Sequence, residues 1–214
     1  LKGARVLVIG AGGLGCPILL YLAAAGVGHL GIVDHDVVES SNLQRQILHT
    51  TERIGQLKVD SAAAALKPVN PEVKLAVYPF RAAADNIGAI IKEYDFVIDA
   101  TDNFESKFLI NDACVAASKA YSHGGILRYN GQTMTVIPGQ SPCYRCIFPE
   151  PLGGEDALAC SKAGVLGVLP GIIGTLQATE AIKYLTGIGE LLLGRLLTYD
   201  SAAMKFREVA LRRN

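Results

Sequence analysis

The sequence predicts an α/β domain built on a doubly wound, mostly parallel sheet that continues into antiparallel strands in its C-terminal part. Three observations carry that prediction. Short apolar, β-branched runs alternate with helix-length segments from Arg5 to about Tyr121, the pattern of a parallel sheet with crossover helices. The first run stops at a glycine cluster, Gly10-Ala11-Gly12-Gly13-Leu14-Gly15, and a helical segment follows at once. Beyond Gly131 the pattern changes to strands over Gln132–Ile137, Leu196–Tyr199 and Lys205–Leu211, which suits an antiparallel half.

Taken in order, Arg5–Ile9 is the first strand, and Leu14–Ala25 is a helix with no breaker after Pro17. Gly31–Val33 reads as a buried strand, Gln56–Leu66 as a helix, Val73–Tyr78 as a strand and Ala84–Glu93 as a helix. Phe96–Ala100 is a further buried strand, followed by a helix over about Phe104–Ser118 and a strand near Tyr121. The helix Ile172–Leu185 is predicted to pack between the antiparallel strands. Pro138–Gly164, rich in proline, glycine and cysteine, reads as a loop, and loops longer than about 15 residues are usually functional or mobile. We read residues 1–214 as one domain with a nucleotide-binding half (1–130) and a second half (131–214) that carries the cysteine loop.

Hydrophobic residues make up 50% of the chain and charged residues 19%, which argues against disorder and for a large interior or a subunit interface. Lys and Arg balance Asp and Glu at 20 each, so the charge gives no reason to expect nucleic acid or an anionic membrane as partner. Apolar runs such as Cys16–Gly28 and Val165–Ile173 are interrupted by Gly and Pro and fall short of the roughly 20 residues that span a bilayer. The opening LKGARVLVIG has neither a charged n-region nor a cleavage site, and the chain reads as cytoplasmic.

The glycine cluster matches G-x-G-x-x-G in its informative context, after a strand and opening a helix. Glycines let the backbone approach phosphate oxygens, and the helix N-terminus supplies N–H groups and positive potential. Asp34 ends the next strand, 19 residues after Gly15, where a carboxylate accepts hydrogen bonds from ribose hydroxyls. So far the pattern says adenine nucleotide, with NAD and ATP both open, or else a tight structural turn.

Arg45 and Lys58 bear on that choice. A dinucleotide has only a pyrophosphate to neutralise, whereas an ATP attacked at its α-phosphorus needs cations on the β and γ phosphates and a metal to spread developing charge. Each cation taken alone also fits a solvated surface charge. Asp99-Ala100-Thr101-Asp102-Asn103 follows an apolar strand at its carboxyl end, where the ligands of open sheets sit. Asp102 there suits Mg²⁺, and the alternative is a helix N-cap before Phe104.

Taken together, GAGGLG, the segment DHDVVESSNLQRQ, Lys58, ATDN and PCYRCIFPEP resemble the ThiF/MoeB/HesA family, which is related to the adenylation domains of ubiquitin-activating enzymes. The resemblance runs from Lys2 to about Arg213, with the motifs in family order and spacing, and implies a Rossmann-like fold. It further implies a homodimer that uses ATP and Mg²⁺ to adenylylate the C-terminal glycine of a ubiquitin-like sulfur-carrier protein ending in Gly-Gly. Pyrophosphate is released and the carrier is made ready for thiocarboxylate formation from a persulfide sulfur-donor protein, residues 131–214 forming the carrier-binding half. The nucleotide contacts implied are Gly10, Gly12, Gly13, Gly15, Asp34, Ser41, Asn42, Arg45, Lys58, Asp102 and Asn103. Among these Arg45, Lys58 and Asp102 are catalytic. Two other readings start from the same phosphate loop and fold. An NAD-dependent oxidoreductase is disfavoured by Arg45, Lys58 and the Asp102-Asn103 pair. A catalytically silent partner subunit is disfavoured because such subunits lose the charges present here between Gly10 and Asn103.

Cys143-x-x-Cys146 has the spacing of half a tetrahedral zinc site. In the family a second C-x-x-C follows the last strand, and an N-terminal helical segment lends an arginine to the partner's ATP site; neither falls within these 214 residues, so zinc is expected in the full-length protein. The resemblance places Cys160 at the cysteine that joins the activated carrier in some members, and Lys162 would favour its thiolate. Cys16 and Cys114, in predicted helices, read as core residues. His29, His35, His49 and His123 are scattered, and none is read as part of a metal set or a triad.

Overall fold

The computed structural model describes residues 1–150 and 164–213. Strand β1 (Arg5–Ile9) sends Val6 and Val8 into one hydrophobic cluster and Leu7 and Ile9 into another. A strand apolar on both faces must be covered on both, which is the condition of a parallel sheet with helices on each side. β2 (His29–Val33), β3 (Lys74–Tyr78), β4 (Phe96–Asp99) and β5 (Tyr121–Leu127) complete the parallel part. β6 (Asn130–Val136), β7 (Arg195–Asp200) and β8 (Lys205–Ala210) add antiparallel pairs. All eight form one sheet in the order β3-β2-β1-β4-β5-β6-β7-β8.

On one face lie α1 (Gly15–Ala24) and α2 (Lys58–Leu66); on the other lie α3 (Ile87–Ile91), α4 (Phe104–Ala116) and the short α5 (Tyr144–Ile147). The long helix α6 (Leu169–Thr186) joins the α1 face. Strand order reverses between β1 and β4, so their carboxyl ends open a crevice where open sheets bind ligands. Among the described residues no helix is long and apolar enough to cross a membrane.

Several predicted bounds shift for physical reasons. α6 begins at Leu169 rather than Ile172, because Pro170 in its first turn lacks only an N–H that would be unpaired anyway. It ends at Gly187, whose φ of 70° closes the helix. Nor does it lie between the antiparallel strands: it packs along α1 and across β5 and β6. α3 is shorter than Ala84–Glu93. The described part of the predicted loop Pro138–Gly164 contains α5. β5 runs on through Gly124 and Gly125 to pair with β6, and a Cβ on Gly124 would stand 2.2 Å from Gln177 Oε1 of α6.

Candidate nucleotide site

A cavity of about 360 Å³ opens at the carboxyl ends of β1, β2 and β4. Gly10, at φ 104°, turns the chain out of β1 past Ala100, whose carbonyl oxygen would lie 2.6 Å from any Cβ there. Gly10, Gly12 and Gly13 line the cavity. Gly15 does not; a Cβ on it would meet Gly10 O at 1.9 Å, so its part is to let α1 start tight against the loop.

Asp34 is held at the cavity edge by two backbone donors, Ala11 N at 2.7 Å and Asp36 N at 2.9 Å. Lys58, the first residue of α2, is only 6% exposed and donates to Asp36 Oδ2 at 2.7 Å. Partial burial alone would raise the Asp36 carboxyl, but the hydrogen bond and charge of Lys58 outweigh it and leave the pKa below its ordinary value. Arg45 lines the cavity and donates to Asn42 Oδ1 at 3.1 Å, which also accepts from Gln46 at 3.0 Å. Asn42 and Ser41 are therefore set back from the cavity, Asn42 steadying the Arg45 side chain.

Asp102 and Asn103 both line the opposite wall. Asn103 is the N-cap of α4, its side chain accepting from Ser106 N at 2.9 Å, so Asp102 is left exposed toward the cavity and free of the capping role.

Beneath that wall lies a charged group with no local signature in the sequence. Asp99, the last residue of β4, is 1% exposed and accepts from Lys107 Nζ at 3.1 Å, His123 Nδ1 at 3.0 Å and Thr101 Oγ1 at 2.6 Å. Burial alone would raise the Asp99 carboxyl; the Lys107 charge and the His123 hydrogen bond hold it far below the carboxylate range. Burial keeps His123 below its ordinary pKa despite Asp99, so the pair is a hydrogen bond from a neutral ring. Lys107 also donates to the carbonyls of Thr101 (2.7 Å) and Gly124, pinning the segment that carries Asp102.

Sequence reasoning also left Gln46, Phe80 and Arg81 unassigned, though all three line the cavity. Gln46 ends the motif segment DHDVVESSNLQRQ, whereas Phe80 and Arg81 lie in the β3–α3 connection, which only the sheet order brings to the phosphate loop. His35, discounted as a metal residue, stands with Asp34 and Asp36, one donor atom of each within 4.8 Å of the others. Lys58 and two backbone N–H groups already engage those carboxylates. Cys143 and Cys146 stand with their sulfurs 3.9 Å apart, close to the roughly 3.8 Å between two thiolates on one tetrahedral zinc. Cys16 and Cys114 are fully buried, and burial pushes the Cys16 thiol up to about 12. Cys160 lies outside the described residues.

A glycine loop at the switch point of a doubly wound sheet, faced by two cations and an exposed carboxylate, defines a nucleotide-binding α/β domain. The chain belongs to the ThiF family, whose model matches residues 1–214. It is 47% identical over 219 residues to the sulfur carrier protein adenylyltransferase of Thermus thermophilus, covering 100% of this chain and 81% of that protein. It is 47% identical over 214 residues to the SAMP-activating enzyme E1 of Haloferax volcanii, covering 100% and 79%. Against the probable adenylyltransferase/sulfurtransferase MoeZ of Mycobacterium tuberculosis it is 46% identical and spans 56% of that longer protein. A crystal structure of E. coli MccB with ATP shares the fold at a TM-score of 0.87 and 23% identity, over 100% of this chain and 65% of that one.

Proposed function

We propose that this chain is an adenylyltransferase that activates the C-terminal glycine carboxylate of a ubiquitin-like sulfur-carrier protein. The observation that carries the reading is the placement of Arg45 and Lys58 on a phosphate-loop cavity with Asp102 exposed on the facing wall. Backbone N–H groups of the loop and the two cations bind and neutralise the polyphosphate, and Asp34 orients the ribose. A carboxylate oxygen of the carrier attacks the α-phosphorus, the bond to the bridging oxygen breaks, and pyrophosphate leaves an acyl adenylate. Mg²⁺, which takes one or two carboxylates plus substrate phosphates, fits Asp102, and its charge would offset that of the leaving group.

Relatives named for acting on sulfur-carrier or SAMP proteins support this substrate class. In the reading, residues 131–214 receive the carrier, a persulfide protein supplies sulfur, and the setting is the cytoplasm. The sulfur spacing of Cys143 and Cys146 supports zinc, which needs two further ligands to close a tetrahedral site. An apolar hollow lined by Pro17, Ile47, Val168 and Ile172, with Ile47 61% and Val168 65% exposed, supports a homodimer. Light scattering giving a mass near 22.6 kDa would oppose that last point.

The test of the central reading is ATP–pyrophosphate exchange with a candidate carrier ending in Gly-Gly. Exchange should need the free terminal carboxylate and vanish with the C-terminal amide. Absence of exchange, together with tighter binding of NAD than of ATP, would overturn the reading in favour of an oxidoreductase.

A further inference from the structure

His49 is 5% exposed and uses both ring nitrogens: Nε2 lies 2.8 Å from the carbonyl oxygen of Ala11, and Nδ1 lies 2.9 Å from Ser61 Oγ. A carbonyl oxygen can only accept, so Nε2 carries the proton and Nδ1 accepts from the Ser61 hydroxyl. Burial holds the ring below its ordinary pKa and hence neutral, which matches that tautomer. Ala11 is thus gripped on both sides, its N–H by Asp34 Oδ2 at 2.7 Å and its C=O by His49 at 2.8 Å, the Cys16 thiol being a weaker donor to the same oxygen at 3.5 Å.

The peptide that joins Ala11 to Gly12 is planar and trans, so its C=O and N–H point in opposite directions. Drawing Ala11 O inward to His49 turns the Gly12 N–H outward, and Gly12 lines the cavity. Among the described residues no acceptor meets that N–H. Ser61 lies on α2, the helix that begins with Lys58, so one side chain ties the phosphate loop to the element carrying a phosphate-facing cation.

We infer that His49 is a positioning residue for phosphate recognition: by holding Ala11 O it aims the Gly12 N–H at an anionic oxygen of the bound nucleotide. The inference rests on the nucleotide reading above and adds to it a residue that touches no substrate. Its signature is selectivity, because adenosine has no phosphate for that N–H to meet.

Calorimetric titration of wild type, His49→Asn and His49→Gln with MgATP and with adenosine tests it. A glutamine amide reaches where Nε2 stands and still donates to Ala11 O; an asparagine amide reaches only to Nδ1. His49→Asn should weaken MgATP by about tenfold, or about 1.4 kcal/mol, and leave adenosine within about twofold, while His49→Gln stays within about threefold for both. Unchanged MgATP affinity in His49→Asn, or equal loss of MgATP and adenosine, would overturn the inference. Ser61→Ala, which frees the ring without removing it, should show a smaller loss confined to MgATP; should His49→Asn not fold, an unchanged Ser61→Ala is the overturning result. Failure of the wild type to bind MgATP would remove the nucleotide reading along with this inference.

Discussion

Lys58 Nζ and Asp36 Oδ2 meet at 2.7 Å, a charged hydrogen bond between the first residue of α2 and the connection after β2. The bond holds a nearly buried ammonium at the cavity instead of letting it extend into solvent. Lys58→Met should lower carrier-dependent exchange by about 100-fold, and Asp36→Asn, which keeps an acceptor without the charge, by about tenfold. Because the folded pKa of Asp36 lies below its ordinary 3.8, the pair stabilises the fold above that pH and is lost as pH falls through the folded value. Asp36 is half exposed, so solvent screening limits this contribution to about 0.5 kcal/mol. Equal exchange in Lys58→Met and wild type would show that Lys58 does not serve the phosphates.

Lys107 is the cation that makes a fully buried Asp99 tolerable. Lys107→Met should cost about 3 kcal/mol of stability, since it leaves a buried carboxylate with only neutral donors, and Lys107→Arg should cost less. The Asp99 pKa is likewise depressed, so its contribution is present above pH 3.8 and fades below it. Chemical denaturation from pH 7 down to pH 3 should therefore show a steeper acid loss in wild type than in Lys107→Met. Parallel pH profiles would mean that Lys107 does not stabilise the Asp99 charge.

Asp102→Ala should leave adenosine binding unchanged and remove most of the Mg²⁺ dependence of ATP affinity, lowering exchange by 100-fold or more, on the order of a lost transition-state charge partner. The fold should be spared, because Asn103 and not Asp102 caps α4. A wild-type response to Mg²⁺ in this variant would move the metal to other ligands.

Adenylation takes its attacking oxygen from the carrier, so Cys160→Ser should keep exchange near wild type. Thiocarboxylate formation from a protein persulfide should fall, and excess free sulfide should relieve the defect because sulfide attacks the adenylate without a relay thiol. Normal thiocarboxylate formation from the protein donor would make Cys160 an inert residue.

The parts that could be read from the sequence are those whose signal is contiguous. Ile9 to Gly15 places strand, turn and helix start in one stretch, and the structure puts Gly10, Gly12 and Gly13 on the cavity. The Asp99, Lys107 and His123 group joins β4, α4 and β5 across the sheet, and nothing near any of the three announces the other two. His49 has the same character, since its partners Ala11 and Ser61 are brought together only by folding. The extent of β5 is hidden for the same reason: the sequence shows a strand near Tyr121, yet it runs on through Gly124 and Gly125 to Leu127, and Gly124 is needed because Gln177 of α6 crosses too close for a side chain there. The turn to β6 is made by Arg128 and Tyr129, Arg128 taking the left-handed conformation at φ 54°, while the nearby Asn130-Gly131 pair opens β6 rather than forming the turn.

The most direct measurement is the intact mass of the carrier after incubation with this protein and MgATP, without a sulfur donor. The account predicts that the carrier gains one adenylyl group at its C-terminal glycine, that hydroxylamine removes it, and that Asp102→Ala forms none. A carrier whose mass stays unchanged while wild-type protein binds both it and MgATP would contradict the claim that this site transfers a nucleotide.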